Sequence, residues 1–96
     1  MAQVDVTLEK QGNGYYLHAH SHAVDTDLHF RCPAYRYGLA HEFEGAILES
    51  ASVDCKANQG EVCHVSVFAD AVRVRFKRNE LVLFADDMQF SGEWKV

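Results

Sequence analysis

The sequence predicts a small, mainly β domain, an antiparallel barrel or sandwich built from consecutive hairpins. Polar and apolar residues alternate through most of the chain, which is typical of strands with one buried face. Turn residues such as Asn-Gly separate the alternating segments. Each hairpin that can be drawn leaves the same apolar side chains on the core side, and this agreement favours the assignment. The 96 residues have the length of a single domain, 1–96.

The first predicted hairpin joins the alternating segments "VDVTLEK" and "YYLHAHSHA" through "QGNG". Asn-Gly suits a tight hairpin because a type I′ turn requires positive φ at both central residues. A two-residue turn at Asn13-Gly14 places Leu8 opposite Ala19, and a turn one residue earlier keeps every side chain on the same face. In both registers the acidic residues of the first strand share the outer face with the histidines of the second.

Three further hairpins are predicted in the second half of the chain. A loop centred on Gln59 joins "ASVDC" to "CHVSVFA" and sets Cys55 opposite Cys63. A turn at "ADAV" joins "CHVSVFA" to the next strand, "VRVRFK". That strand turns at "NE" into "LVLFA", which sets Leu83 opposite Phe76. In each of these strands the apolar residues face the core and the charged residues face outward.

Residues 34–50, "AYRYGLAHEFEGAILES", fit two structures. An apolar stripe four residues apart is typical of a helix, and the same residues, all odd-numbered, fit one face of a strand. The stripe consists of Tyr35, Leu39, Phe43 and Ile47. Gly38 and Gly45 each destabilise a helix interior by about 1 kcal/mol relative to alanine, which favours a strand for 43–55. Residues 34–42 stay open, so an α+β fold with one short helix within 34–50 is the alternative.

Four of the six histidines lie within twelve residues, in "HAHSHAVDTDLH". Alternate residues on one strand face stand about 7 Å apart, and zinc–nitrogen bonds are about 2.0–2.1 Å long. Two neighbouring imidazoles can therefore share one ion, and a carboxylate from the facing strand would complete a set used for zinc and non-haem iron. The candidate metal ligands are His18, His20, His22, Glu9 and Asp5. The candidate ion is Zn²⁺ or another divalent transition metal.

A polar strand face that holds no ion is the competing explanation for these histidines, and under it no cofactor is expected. An alternating strand must present polar side chains to solvent. Cross-strand pairs such as Glu9–His18 and Asp5–His22 stabilise a sheet by about 0.2–1 kcal/mol each without any further function. A surface that responds to pH is a third explanation, since histidine titrates near neutral pH.

The spacing of the histidines completes neither of two metal motifs that contain H-x-H. The metallo-β-lactamase motif H-x-H-x-D-H requires aspartate and histidine where this chain has His22 and Ala23. The cupin motif requires glutamate and glycine where this chain has Asp25 and Cys32. No family resemblance therefore follows from these residues.

A second candidate surface lies on the predicted strand "VRVRFK", where four of the nine Lys and Arg residues occupy six positions. Arg73, Arg75 and Lys77 face outward, together with Phe68 and Phe84 from neighbouring strands. Cations interleaved with aromatic rings suit a protein partner or single-stranded nucleic acid, whose phosphates pair with cations and whose bases stack on rings. If a second sheet or a second protomer covers this face, the phenylalanines are part of a hydrophobic core and the charged residues form its rim. The net charge of −5 disfavours nucleic acid.

Three cysteines without a C-x-x-C pair form neither a disulfide framework nor a zinc-finger spacing. They predict reduced thiols in an intracellular protein. No apolar run in the sequence is long enough to span a membrane, and the first residues do not resemble a secretory signal. We therefore expect a cytoplasmic protein without a membrane partner.

The sequence contains no phosphate loop, nucleophile elbow or paired-carboxylate motif, so no catalytic residue is assigned and an enzyme is not the favoured hypothesis. We expect a binding or interaction module, whose partner is a protein, a small ligand or a second copy in a homodimer. The first alternative is a metal-dependent protein or enzyme that uses the histidine face. The second alternative is single-stranded nucleic-acid binding through the basic and aromatic face.

Overall fold

The computed structural model describes residues 3–94, except for the side chains at positions 53 and 54, and all nine strands found there belong to one sheet. In chain order the strands are β1 (Val4–Gln11), β2 (Gly14–Ser21), β3 (Thr26–Cys32), β4 (Arg36–Tyr37), β5 (His41–Ala51), β6 (Val62–Val67), β7 (Ala71–Arg75), β8 (Glu80–Phe84) and β9 (Met88–Gly92). One 3₁₀ helix, Val53–Asn58, is the only helical element in this part of the chain. The prediction of a mainly β domain built from consecutive hairpins is confirmed.

The sheet is curled but open. Its strand order is β8-β7-β6-β5-β3-β2-β1-β9, with β4 paired to β5 beside this path. Successive strands along the path are antiparallel, whereas β9 lies parallel to β1. The Cα atoms occupy 31 × 29 × 22 Å, which is too thick for one flat layer, so the sheet wraps around the side chains of its own inner face. Between residues 3 and 94 no ladder joins β8 to β9, and the predicted barrel is therefore not closed.

The inner face of this curled sheet forms the hydrophobic core. The largest fully buried side chains are Phe30, Phe43, Leu8, Leu17, Leu28, Leu48, Val4, Val6, Val65, Val67, Val72 and Val74. Each contributes about 1.5–3 kcal/mol through the apolar surface that it removes from water. Because strand side chains alternate, burial of these residues directs their neighbours outward, including the histidines of β2. The described residues include no helix that is long and apolar enough to cross a membrane.

The first hairpin adopts the second of the two registers predicted for it. The central residues of its turn are Gly12 and Asn13, so Leu8 lies opposite Leu17 and not opposite Ala19. Gly12 has a φ of 60°, a conformation that glycine adopts without a steric penalty. In this register the acidic residues of β1 and the histidines of β2 share the outer face, as predicted.

The alternative of a short helix within 34–50 is wrong, because this segment forms β4 and most of β5. A bulge interrupts the pairing of β5 with β6 just after Phe43, where Gly45 has a φ of 73°. The extra residue reverses the alternation, so that Phe43 is buried before the bulge and Leu48 is buried after it. Ile47, which the odd-numbered stripe assigns to the core side, is 39% exposed for this reason.

The strand predicted for 43–55 ends at Ala51, and the 3₁₀ helix follows it. Cys55 therefore lies in the helix, and Cys63 on β6 is opposite Ala46 instead. The predicted pairing of the two cysteines is wrong, because the chain makes a helical turn before it enters β6.

The hairpin of β7 and β8 turns two residues earlier than predicted. The amide of Phe76 donates a hydrogen bond of 2.8 Å to the carbonyl of Asn79, which makes Lys77 the first of only two turn residues. Leu83 consequently lies opposite Val72 and not opposite Phe76. The core face is nevertheless the predicted one, since Leu83 and Val72 are both buried.

Replacement of Gly92 by alanine is expected to destabilise the pairing of β1 with β9. Gly92 has a φ of 101°, and a Cβ atom there would collide with the carbonyl oxygen of Leu8. Strained backbone costs about 1–3 kcal/mol, and each kcal/mol shifts the Tm of a domain of this size by roughly 4–8 °C. Thermal unfolding followed by circular dichroism should show this loss for Gly92→Ala.

Gly38→Ala is the control, because its Cβ would meet no atom within 4 Å. Equal Tm values for the two variants would contradict the β1–β9 geometry.

Two cysteine thiols are expected to resist modification in the folded protein. Burial raises the pKa of Cys32 and of Cys63 to about 12. Because the thiolate is the reactive form, neither side chain should react with an aromatic disulfide reagent near neutral pH until the protein unfolds. Absorbance of the released thiolate measures the reaction, and mass spectrometry locates the modified residue. Rapid labelling of either cysteine in the native protein would show that the core is open there.

Candidate metal centre

The outer face of β1, β2 and β3 carries most of the histidines. Residues directly opposite each other in an antiparallel pair point to the same side of a sheet. The register places His18 opposite His29 and His20 opposite Asp27. On the other side of β2, Asp5 of β1 lies opposite His20. Polar side chains from three strands therefore meet on one face.

The turn between β2 and β3 brings two of these side chains back to the histidines of β2. The turn spans residues 22–25 and includes Asp25, whose φ of 49° is a conformation that aspartate tolerates better than most residues. In β3 the side chain of Leu28 is fully buried in the core. Its neighbours Asp27 and His29 are therefore directed outward.

The carboxylate of Asp27 is the centre of the resulting cluster. His18 Nε2 contacts its Oδ1 atom, and His20 Nδ1 lies 3.4 Å from the same oxygen. His29 Nε2 approaches the other oxygen, Oδ2, at 3.5 Å. Three imidazoles thus surround one carboxylate. One potential ligand atom from each of His18, Asp27 and His29 lies within 4.8 Å of the other two.

Neighbouring groups hold this cluster in place. The rings of His18 and His29 stack, with centroids 4.1 Å apart and an interplanar angle of 8°. Tyr16 Oη lies 3.3 Å from Nδ1 of His29. The backbone amide of Asp27 donates to Ser52 Oγ at 3.3 Å, and the amide of Ser52 donates to the carbonyl of Asp27 at 3.0 Å. The carboxylate is therefore positioned by its backbone, and the two rings by their stacking.

The imidazoles lower the pKa of Asp27. Burial by itself would raise this pKa, but a hydrogen bond with His18, the charges of His18 and His29, and a hydrogen bond with His20 together outweigh burial. The side chain of Asp27 is 44% exposed, and those of the three histidines are 28–35% exposed. Water and ions can therefore reach the cluster directly.

His18 is the one predicted ligand inside the three-residue cluster, and His20 lies beside it through its contact with Asp27. Asp27 and His29 are absent from the predicted set. The segment "TDLHFRC" alternates as clearly as the strand before it. Recognition of this segment as a third strand would have placed Asp27 and His29 on the histidine face.

The remaining predicted ligands lie apart from the cluster. His22 Nε2 contacts Asp5 Oδ2 at 2.7 Å, which is the cross-strand pair predicted from the sequence. Glu9 lies opposite Tyr16 rather than opposite His18, so the predicted pair of Glu9 with His18 is wrong. The turn one residue earlier in the hairpin accounts for this difference, because it shifts every partner of β1 along β2.

The residues predicted for partner binding lie on the opposite half of the sheet. Phe68, Arg73 and Phe84 line one hollow on the outer face, whereas Lys77 lies in the turn that follows β7. Arg75 shares this outer face through its position two residues after Arg73 on the same strand. The ring of Phe84 is 78% exposed.

A second histidine–carboxylate group lies between β5 and β6. Glu42 Oε1 accepts a hydrogen bond of 2.7 Å from Ser66 Oγ and lies 2.5 Å from His64 Nε2. Burial would raise the pKa of Glu42, but these two hydrogen bonds and the charges of His64 and Arg36 together lower it. His64 and Ser66 both contact the same oxygen of Glu42. The hydroxyl of Ser66 therefore donates its proton to Glu42, and His64 does not act on that hydroxyl as a base. We interpret this group as a structural network.

Comparisons with protein families, with curated proteins and with solved structures give no match to this chain. The function is therefore inferred from the geometry of the cluster on β2 and β3. Two imidazoles and one carboxylate are a ligand set used by zinc and by non-haem iron.

The lowered pKa of Asp27 predicts that its contribution to stability disappears in acid. A carboxyl group whose pKa is lower in the folded state stabilises the fold above its unfolded pKa, about 3.9, and this effect is lost as the pH falls through the folded value. Asp27→Asn should therefore lower the free energy of unfolding at neutral pH, by at most about 1 kcal/mol because the group is half-exposed.

Urea unfolding at neutral pH and at about pH 3 measures this difference, which should be smaller at the lower pH. Asp86→Asn, on an exposed turn, is the control. A loss for Asp27→Asn that is the same at both pH values would show that the imidazoles do not stabilise the carboxylate.

Proposed function

We propose that this protein binds one divalent transition-metal ion, such as Zn²⁺, between His18, Asp27 and His29. The observation that carries the proposal is the convergence of one ligand atom from each residue within 4.8 Å. Ligand atoms around a tetrahedral zinc ion lie about 3.4 Å apart. Small side-chain rotations bring the three atoms to that spacing, and the partial exposure of the side chains leaves room for them.

The donor set suits this class of ion. Imidazole is a common ligand for zinc, copper, iron and nickel, and one carboxylate supplies a negative charge. Calcium and magnesium require oxygen ligands. Of the three proposed ligands, only Asp27 supplies oxygen atoms. Binding of the ion would also replace the contacts between the carboxylate and the imidazoles with stronger bonds to one centre.

Tyr16 supports the proposal because it orients His29. The hydroxyl oxygen of Tyr16 is 3.3 Å from Nδ1 of His29. With the proton on Nδ1 and donated to this oxygen, Nε2 keeps its lone pair on the side of Asp27. Such outer contacts fix the tautomer of metal-binding histidines, and their loss typically lowers metal affinity by about 10–100-fold.

We assign His20 a role as a fourth group beside the ion. Its Nδ1 atom is 3.4 Å from Asp27 Oδ1, whereas His29 approaches Oδ2, so the two imidazoles contact different oxygens of the carboxylate. In the proposed complex His20 holds Asp27 in position or rotates to bind the ion directly. Both roles predict weaker binding without His20, whereas loss of two of the three principal ligands abolishes binding.

The net charge of the chain outside the basic hairpin also favours a cation. Residues 71–84 contain four cations and one anion, so the chain outside this segment has a net charge of −8. Asp5 lies on the same face as the cluster, beside His22. A negative surface raises the local concentration of divalent cations and their association rate.

Retention of an ion, without catalysis, is the activity that we propose. The Ser66 hydroxyl is bonded to Glu42, and burial holds the Cys32 thiol in its protonated form. Neither group is therefore activated as a nucleophile in the described part of the chain. A role in storing, sensing or delivering the ion follows more directly from a half-exposed site on a rigid sheet.

Metal content of the untagged protein tests the proposal. After incubation with zinc and dialysis, the wild-type protein should retain one ion per chain. The double variant His18→Ala/His29→Ala should retain none, because it lacks both principal nitrogen ligands. His22→Ala/His64→Ala is the matched control: it removes two histidines that contact other carboxylates and should retain one ion as the wild-type protein does. His20→Ala should still bind one ion, more weakly by about 10–100-fold.

Circular dichroism must first show that both double variants are folded. Loss of the ion from the control variant, with retention by His18→Ala/His29→Ala, would contradict the proposed ligands. Equal, weak binding of several ions to all three proteins would mean that the face is ordinary polar surface, and the proposal would be abandoned.

A further inference from the structure

We propose that the free edge of β8 binds an extended acidic segment of a protein partner, which adds to the sheet as a further strand. This site is separate from the metal centre and does not depend on it. β8 is one of the two outer strands of the open sheet, and it pairs only with β7 among the described residues. An outer strand presents unpaired amide and carbonyl groups, and peptide segments bind to such edges in several families of interaction domains.

The free groups of this edge can be identified from the hairpin. The amide of Phe76 donates to the carbonyl of Asn79, and the amide of Ala85 donates to the carbonyl of Asp70. Hydrogen-bonded residues alternate along an antiparallel strand, so the odd-numbered residues of β8 bond to β7. The amides and carbonyls of the even-numbered residues point to the free edge. These residues are Glu80, Val82 and Phe84.

The side chains beside this edge are apolar and accessible. Phe84 is 78% exposed, and Val82 is partly exposed on the same outer face. Together with Phe68 they line a shallow hollow of about 330 Å³. Burial of a phenylalanine ring would add about 1.5–3 kcal/mol to an association. The hollow therefore offers apolar contacts for alternate side chains of an added strand.

Charge complementarity identifies the chemistry of the partner. Residues 71–84 have a net charge of +3, although the whole chain has −5. Arg73 forms an ion pair with Glu80 at 2.8 Å. Arg75 and Lys77 form no ion pair with any side chain that the structure describes. These two cations, which have no acidic partner, lie near the turn between β7 and β8. They favour a partner segment whose acidic residues lie at the end next to that turn.

The same charges disfavour a second copy at this edge. Antiparallel pairing of two β8 strands would bring two segments of net charge +3 together, and like charges in an interface are unfavourable. Single-stranded nucleic acid requires several exposed rings for base stacking. Among the described residues of this face, only one large hydrophobic side chain, Phe84, has most of its surface exposed. A peptide also pairs with the strand edge, which a nucleic acid cannot do.

Binding of a designed peptide tests this proposal. The probe is a fluorescein-labelled octapeptide, Val-Thr-Val-Thr-Val-Asp-Glu-Glu, whose acidic end would lie beside Lys77 in an antiparallel complex. Its control replaces the three acidic residues with lysine. We expect the acidic peptide to raise fluorescence anisotropy on titration with the protein, and the basic peptide to bind at least tenfold more weakly. In amide NMR spectra, the largest shifts should fall on Glu80, Val82 and Phe84.

Three variants connect the binding to the edge of β8. Val82→Pro removes a free amide, and proline is tolerated on outer strands. Phe84→Ser removes the exposed ring, and Arg75→Glu/Lys77→Glu reverses the uncompensated charges. Each should weaken binding by at least about tenfold, which corresponds to 1.4 kcal/mol. Lys10→Glu, on β1, is the charge-reversal control and should bind as the wild-type protein does.

If Val82→Pro does not fold, Phe84→Ser and Arg75→Glu/Lys77→Glu still test the proposal. Three outcomes would overturn the proposal: no binding of the acidic peptide, binding that all variants retain, or dimerisation through β8 that excludes the peptide. Salt-sensitive binding of a thymidine oligonucleotide without binding of the peptide would assign the surface to nucleic acid instead.

Discussion

Complete burial of one face of the sheet is the constraint on which the other features of this molecule depend. Within the described residues no helix layer covers that face, so the sheet covers itself by curling. Every second residue must then be apolar, and the residues between are committed to the outside. A shift of one residue along β2 would expose Leu17 and Ala19 and bury His18 and His20. The interactions that stabilise the fold therefore also determine which side chains form the proposed metal centre.

The same constraint makes the proposed metal centre a property of strand register. Its members come from adjacent positions on β2 and β3, and Ser52 fixes the backbone of Asp27 from the following segment. Strands packed on a rigid core hold side chains more accurately than exposed loops do. The basic hairpin of β7 and β8 occupies another part of the sheet, so the proposed metal centre and the proposed peptide-binding edge lie on separate strands. Each site suits a different class of ligand, and neither requires movement of the core.

Local alternation is sufficient to predict the strands and the outward direction of His18, because the face of a residue depends on its immediate neighbours. It is not sufficient at Gly45, where positive φ admits an extra residue and places Ile47 on the opposite face. The members of the proposed metal centre are predicted by the sequence only in part. Alternation in "TDLHFRC" predicts the face of the sheet on which Asp27 lies. The approach of Asp27 to His18 depends on which strand lies beside β2, and the packing of the whole chain decides the order of the strands.

The parallel pairing of β9 with β1 has a consequence for the order in which the chain can fold. Val4 is the partner of Met88, whereas the other ladders join segments much closer in sequence. Closure of so long a loop costs more conformational entropy, and non-local pairings of this kind slow folding. Until β9 has been synthesised and docked, one edge of the eight-residue strand β1 stays unpaired, although β2 covers the other, and a neighbouring nascent chain can extend the sheet there. Docking of β9 replaces this edge with that of a five-residue strand, so the last strand of the sheet determines how long the emerging protein exposes its longer edge to its own copies.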